Sequence, residues 1–122
     1  MYNIGVVLSI PGPFWRHYMV VVGSNSVLHS SKETGVVLES LSDVITNKLV
    51  TNHGRWGELS DLEIVGRATN MIGEPYNLLF NNCEHVVRRA CGIKEESPQI
   101  VVFSTITCVV VGAVLFPRVR VA

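Results

Sequence analysis

Neither charge is in excess: ten basic and ten acidic residues cancel across 122 positions, and the basic residues nowhere form a block. A protein that grips a polyanion needs a concentrated positive face, so nucleic acid is not an expected partner. Cysteine is also scarce. Cys83, Cys91 and Cys108 cannot all pair within the chain, and none of their spacings is the CxxC type of a metal site. That argues against a disulfide framework and fits a reducing compartment, with no metal and no cofactor expected. The opening Met1-Tyr2-Asn3-Ile4 has no positive region and the apolar run behind it is short, so a signal peptide is not expected. The chain ends Arg120-Val121-Ala122, without a cysteine to prenylate.

Charge is missing from one place above all. Seventeen residues from Ile100 to Phe116 carry none, and with polar flanks the uncharged stretch runs from Ser97 to Pro117. At 1.5 Å per residue a helix of that length spans roughly 26 to 32 Å, close to the hydrocarbon thickness of a bilayer. Residues 98–122 are therefore expected to be a single-pass C-terminal anchor, in contact with the membrane over 98–117. Residues 1–97 are expected to form the other, catalytic-type domain, on the cytoplasmic face of intracellular membranes. Arg118 and Arg120 close the stretch, but Arg88, Arg89 and Lys94 lie on its other side, so the basic flanks leave its orientation open. Cys108 falls inside it and reads as a packing residue.

The remaining residues are enough for one core. Ile4 to Ile10 is short, β-branched and closed by Pro11-Gly12-Pro13, which predicts a strand and a turn. His17 to Val22, the turn chemistry of Gly23-Ser24-Asn25-Ser26, and Val27-Leu28-His29 predict a hairpin. Gly35 to Leu41 supplies a fourth strand, and the polar segment Thr46 to Trp56 reads as a loop. Ser60-Asp61-Leu62-Glu63 is a capping box, with Ile64, Val65, Ala68, Met71 and Ile72 at helical spacing behind it. A helix is predicted from about Asp61 to Ile72. Glu74-Pro75 ends that run, Tyr76 to Phe80 reads as extended, and a last helix closes at Cys91-Gly92. The order of elements predicts an α+β fold, a small antiparallel sheet packed against helices.

The stretch around which this order turns is Asn81-Asn82-Cys83-Glu84-His85. Asn81 and Glu84 have capping-box spacing, which places Cys83 in the first turn of a helix, where unpaired N–H groups and the helix dipole favour a thiolate. Such a thiolate should react with an alkylating agent well below the ordinary thiol pKa of about 8.5. A cysteine nucleophile needs a base and a group that orients the base. His85, two positions on, points to another face of the helix and reads as structural. His53, beside Asn52 and Gly54, reads as an exposed loop residue without a role. His17 and His29 sit on the two arms of one hairpin. An even loop puts His29 opposite Val20, on the face His17 does not use; a bulge at Gly23 pairs His29 with Met19, diagonal to His17.

Phe14-Trp15-Arg16-His17-Tyr18 with the strand to Gly23, Val27-Leu28-His29, and Asn82-Cys83-Glu84-His85-Val86-Val87 together resemble the H-box and NC motif of the lecithin:retinol acyltransferase-like proteins. These include the H-Ras-suppressor-like phospholipase A/acyltransferases and a class of compact picornaviral 2A proteins. The resemblance covers most of residues 4 to 92. It implies a permuted NlpC/papain-like fold with Cys83 as nucleophile, His17 as base and His29 as the residue that orients it. It also implies phospholipase A and acyltransferase chemistry on glycerophospholipids through a thioester, or, in the viral manner, a non-enzymatic role through host proteins or membranes. Trp15 stands where the cellular enzymes carry tyrosine, Tyr18 where they carry tryptophan, and Val86 where they carry phenylalanine.

Overall fold

The computed structural model describes residues 2–78 and 81–93. They form the strands β1 (Val6–Ile10), β2 (His17–Gly23), β3 (Ser26–Ser31), β4 (Gly35–Ser40) and β5 (Thr51–Arg55), with helices α1 (Leu41–Ile45), α2 (Asp61–Met71) and α3 (Cys83–Ala90). The strands make one antiparallel sheet in the order β4-β3-β2-β1-β5. The α+β class is the expected one.

Both faces of the sheet are covered. On one, Val7, Val20, Leu28 and Val36 pack against Ile64, Ala68 and Met71 of α2 and Val86, Val87 and Ala90 of α3. On the other, Leu8, Ile10, Met19, Val21 and Val27 cluster with Leu41 at the start of α1. Burial on both sides is why β1 and β2 read as near-continuous apolar runs, without the alternation of a half-exposed strand.

The segment expected to be a loop contains β5 and follows a short helix, α1. Thr51-Asn52-His53-Gly54-Arg55 has no apolar residue for a hydrophobic pattern to register. It is a strand because the outer edge of β1 offers unpaired backbone groups, which β5 takes up in an antiparallel ladder with a register shift between Val6 and Leu8. α2 begins as expected, with Ser60 and Glu63 capping each other. α3 begins one residue later than the Asn81 capping box predicts. Asn82 is its N-cap and accepts from the His85 N–H at 3.0 Å. Glu84 instead meets Arg88 one turn on, and Asn81 donates to Glu74 and the Pro75 carbonyl while accepting from Arg89.

At its other end α3 closes as expected: Gly92 has φ +72°, and its N–H and that of Ile93 bond to the carbonyls of Arg89 and Arg88, the paired bonds of a Schellman motif. Among the described residues no helix is long and apolar enough to cross a membrane. The stretch expected to be an anchor, 98–117, lies outside them, as do Leu79 and Phe80 of the expected extended piece.

Two reciprocal hydrogen bonds fasten β4 to the α2–α3 connection: Val36 N–H to the Glu74 carbonyl and Gly73 N–H to the Val36 carbonyl, at 2.8 and 2.9 Å. Gly35, with φ +68°, lies so close to this strap that a Cβ there would sit 2.6 Å from the Glu74 carbonyl oxygen. At Gly92 the corresponding atom would meet Leu59 Cδ1, the end of a side chain that can turn away. Gly92→Ala is expected to cost about 1–2 kcal/mol, the left-handed penalty alone. Gly35→Ala should cost clearly more, because the carbonyl it strikes is held in place. Urea midpoints at constant m-value measure the difference.

Candidate active site

The hairpin that carries the two histidines is bulged. Val20↔Leu28 and Val21↔Val27 share one register, Gly23↔Ser26 has another, and the shift falls between Val21 and Gly23. Of the two turns open to the sequence this is the one that puts Met19 across from His29, with His29 diagonal to His17 on the same face. The imidazoles meet edge to face, ring centroids 5.0 Å apart, with His17 Nε2 2.8 Å from His29 Nδ1. His29 Nε2 lies 2.9 Å from Glu39 Oε1 on β4. Glu39 was not singled out from the sequence. The signal was there only in two-dimensional form: once His29 pairs with Val37, Glu39 falls on the same face two residues along.

Cys83 reaches this place through a gap in the sheet. The Val21 carbonyl accepts from the Gly5 N–H, ahead of β1, so the odd-numbered backbone groups of β2 point toward β1 and the even-numbered ones toward β3. The β2–β3 pairing runs from the turn only as far as Val20↔Leu28. Beyond it, the Tyr18 N–H donates to Cys83 Sγ at 3.5 Å, and the thiol points to the Arg16 carbonyl at 3.9 Å. From the β3 side, Ser30 Oγ donates to the Asn81 carbonyl at 3.5 Å. The start of α3 is thus wedged where the two strands part, and the sulfur is held by the backbone on both sides of His17.

His53 differs from its reading as an exposed loop residue. It is half-buried on β5, with Nε2 2.6 Å from Ser9 Oγ. The same hydroxyl accepts from Arg16 Nε at 2.7 Å, while Arg16 Nη2 donates to Thr51 Oγ1 at 2.8 Å. These bonds tie Arg16, whose carbonyl faces the thiol, to β1 and β5. His85 is buried, in keeping with a structural role.

Beside His17 opens a cavity of about 470 Å³ whose walls include Phe14, Trp15, Tyr76 and Leu78, with Lys32 and Glu33 as its charged residues. Phe14 is 90% exposed. Cys83, at 4% exposure, is not among the residues that line it.

Burial sets the charge state. The Cys83 thiol is pushed up to about 11 by desolvation, with Glu84 adding in the same direction and N–H groups of Tyr18, Glu84 and Cys83 opposing. This runs opposite to the lowered thiol that the helix N-terminus predicts. A few N–H dipoles stabilise a thiolate, but removing it from water costs more. His17 is lowered to about 4, by burial first and by its neighbour His29 second, while Glu39 works the other way. The resting pair is a neutral thiol and a neutral imidazole.

A family model described as lecithin retinol acyltransferase matches residues 31–94. This is just over half of the chain, which belongs to that family. The matched region contains Cys83 and all of α3; His17 and His29 precede it. Membership supports acyltransferase or hydrolase chemistry at the level of class. No curated protein matches the chain.

Two measurements follow from the charge state. Alkylation of Cys83 by iodoacetamide, read peptide by peptide in the mass spectrometer, is expected to keep accelerating through pH 9 toward a midpoint near 11; a plateau below pH 8 would show an ion pair instead. For His17, folding favours the unprotonated ring, so the unfolded chain binds more protons between pH 6.5 and about 4. The stability this confers is present above 6.5 and lost as pH falls through about 4. His53 is lowered too, by burial and Arg16, and adds in the same sense. His17→Gln should flatten the slope of unfolding free energy against pH in that window.

Proposed function

We propose that this chain is a thiol phospholipase A/acyltransferase acting on glycerophospholipids, with Cys83 as nucleophile, His17 as base and His29 as the residue that orients the base. The observation that carries the reading is the placing of the Cys83 sulfur between the Tyr18 N–H and the Arg16 carbonyl, on either side of His17, while His17 itself lines a cavity with Phe14, Trp15, Tyr76 and Leu78. The thiol gives its proton to His17 as the sulfur attacks the ester carbonyl carbon. The Tyr18 and Cys83 N–H groups, already directed at the sulfur, are the donors at hand for the developing oxyanion. Collapse expels the lysophospholipid oxygen, which takes the proton back from His17, and leaves a thioester on Cys83. Water then releases the fatty acid, or an amine or lysophospholipid takes the acyl group, with His17 again accepting the incoming proton.

Because the resting groups are neutral, proton transfer accompanies attack and no thiolate is stored beforehand. The uncharged stretch 98–117 would hold such an enzyme at the bilayer that contains its substrate. A second reading, an H-box/NC protein that acts through host protein or membrane contacts without catalysis, draws on one observation: the depth of Cys83 and the height of its thiol pKa.

The full chain in phosphatidylcholine vesicles should release fatty acid and accumulate an acyl adduct on Cys83 visible by mass spectrometry, and Cys83→Ala should abolish both. Absence of fatty acid, transfer product and adduct alike would sink the enzymatic reading. Full biological activity of Cys83→Ala would establish the second.

A further inference from the structure

We propose that Glu39 is a positioning residue for this site: its carboxylate fixes the direction of the hydrogen bonds through His29 and His17, so that the nitrogen left to accept the thiol proton is His17 Nδ1. The proposal rests on the Cys83-His17-His29 reading given above.

Three groups stand in series, Glu39 Oε1 at 2.9 Å from His29 Nε2 and His29 Nδ1 at 2.8 Å from His17 Nε2. A neutral imidazole has one N–H and one lone pair, and a carboxylate only accepts. His29 Nε2 must therefore carry the hydrogen that faces Glu39. Its Nδ1 is then a lone pair, and the 2.8 Å contact requires the hydrogen to come from His17 Nε2. That leaves His17 Nδ1 without a hydrogen, as a base must be. Without the carboxylate, the His17–His29 contact can be made equally well in reverse, with His29 Nδ1 donating. His17 would then carry its hydrogen on Nδ1 and could accept no proton there.

The fold supplies this arrangement cheaply. Val27↔Glu39 and His29↔Val37 pair across β3 and β4, so Glu39 is the diagonal neighbour of His29 on one face. The His29 side chain is 8% exposed and that of Glu39 is 40% exposed, so the ring is held by packing while the carboxylate keeps part of its hydration. When the thiol proton arrives at His17 Nδ1, the ring becomes an imidazolium that still donates from Nε2. Its positive charge then lies one imidazole away from a carboxylate. Glu39 already raises the proton affinity of His17 against the effect of burial.

The test uses the full chain, labelled with ¹⁵N and free of substrate, in long-range ¹H–¹⁵N spectra at pH 7.5. The wild type should show both His17 and His29 as Nε2–H tautomers. Glu39→Ala should show the Nδ1–H form of His17 beside the Nε2–H form, and kcat for fatty acid release should fall about twofold or more with KM unchanged, whereas Glu39→Gln, whose amide oxygen still accepts from His29 Nε2–H, should keep the wild-type tautomers. Tautomers unchanged in a folded Glu39→Ala protein would overturn the proposal, as would an Nδ1–H His17 in the wild type. The spectra need no turnover, so the two readings separate. Shifted tautomers in a chain that releases no fatty acid would uphold the role of Glu39 and count against the phospholipase reading. Full turnover with unmoved tautomers would do the reverse.

Discussion

The site depends on the point at which β2 stops pairing with β3. An antiparallel ladder continued past Val20↔Leu28 would use the Tyr18 N–H and the Arg16 carbonyl on its neighbouring strand, and no room would remain for α3. Because the strands part, those two groups would be orphans in a buried place, and each would cost about 1–3 kcal/mol unsatisfied. Cys83 Sγ meets both. The same wedge brings the Asn82 cap, and with it the start of α3, to the level of His17. Cys83 and the backbone around His17 are neighbours because one strand pair ends early and a helix begins there.

That geometry has an electrostatic consequence. A helix N-terminus and the Tyr18 N–H are favourable surroundings for an anion, yet burial pushes the thiol up to about 11 because little water reaches it. Burial acts on His17 in the opposite sense and reaches the same result, a pair without charge. Such a site holds no reactive thiolate at rest, which protects it from adventitious oxidation and alkylation. In the proposed reaction, attack then depends on a substrate placed so that proton transfer and attack occur together.

Much of the architecture was legible from residues close in sequence. Ser60-Asp61-Leu62-Glu63 reads as a cap because both partners lie within one turn, and Gly92 reads as a stop because only backbone conformation is involved. Legibility failed where the determinant was a neighbouring strand. β5 carries no hydrophobic signal and exists because β1 has a free edge. His53 looks like a loop residue until that pairing sets it against Ser9 and Arg16. The register of the histidine hairpin turns on a bulge at Gly23, which the sequence permits without requiring. Asn82 rather than Asn81 is the cap, a choice between adjacent asparagines that the Glu84 spacing decides the wrong way, because Glu84 is drawn to Arg88.

Two imidazoles and a carboxylate in series beside a buried thiol would be destabilising if any link were unsatisfied, since low dielectric raises the cost of each unmet group. Here the polar chain has one end at His17, whose backbone neighbours Tyr18 and Arg16 hold the sulfur, and the other at a carboxylate with access to solvent. Positive charge created at the inner end during proton transfer can be balanced at the outer end, where hydration keeps the negative charge inexpensive to hold. A site that is neutral at rest and polarisable along one direction reconciles two demands on this small fold. It stays stable around neutral pH with its thiol out of water, and in the proposed reaction His17 would still serve as base once an ester carbonyl is within reach.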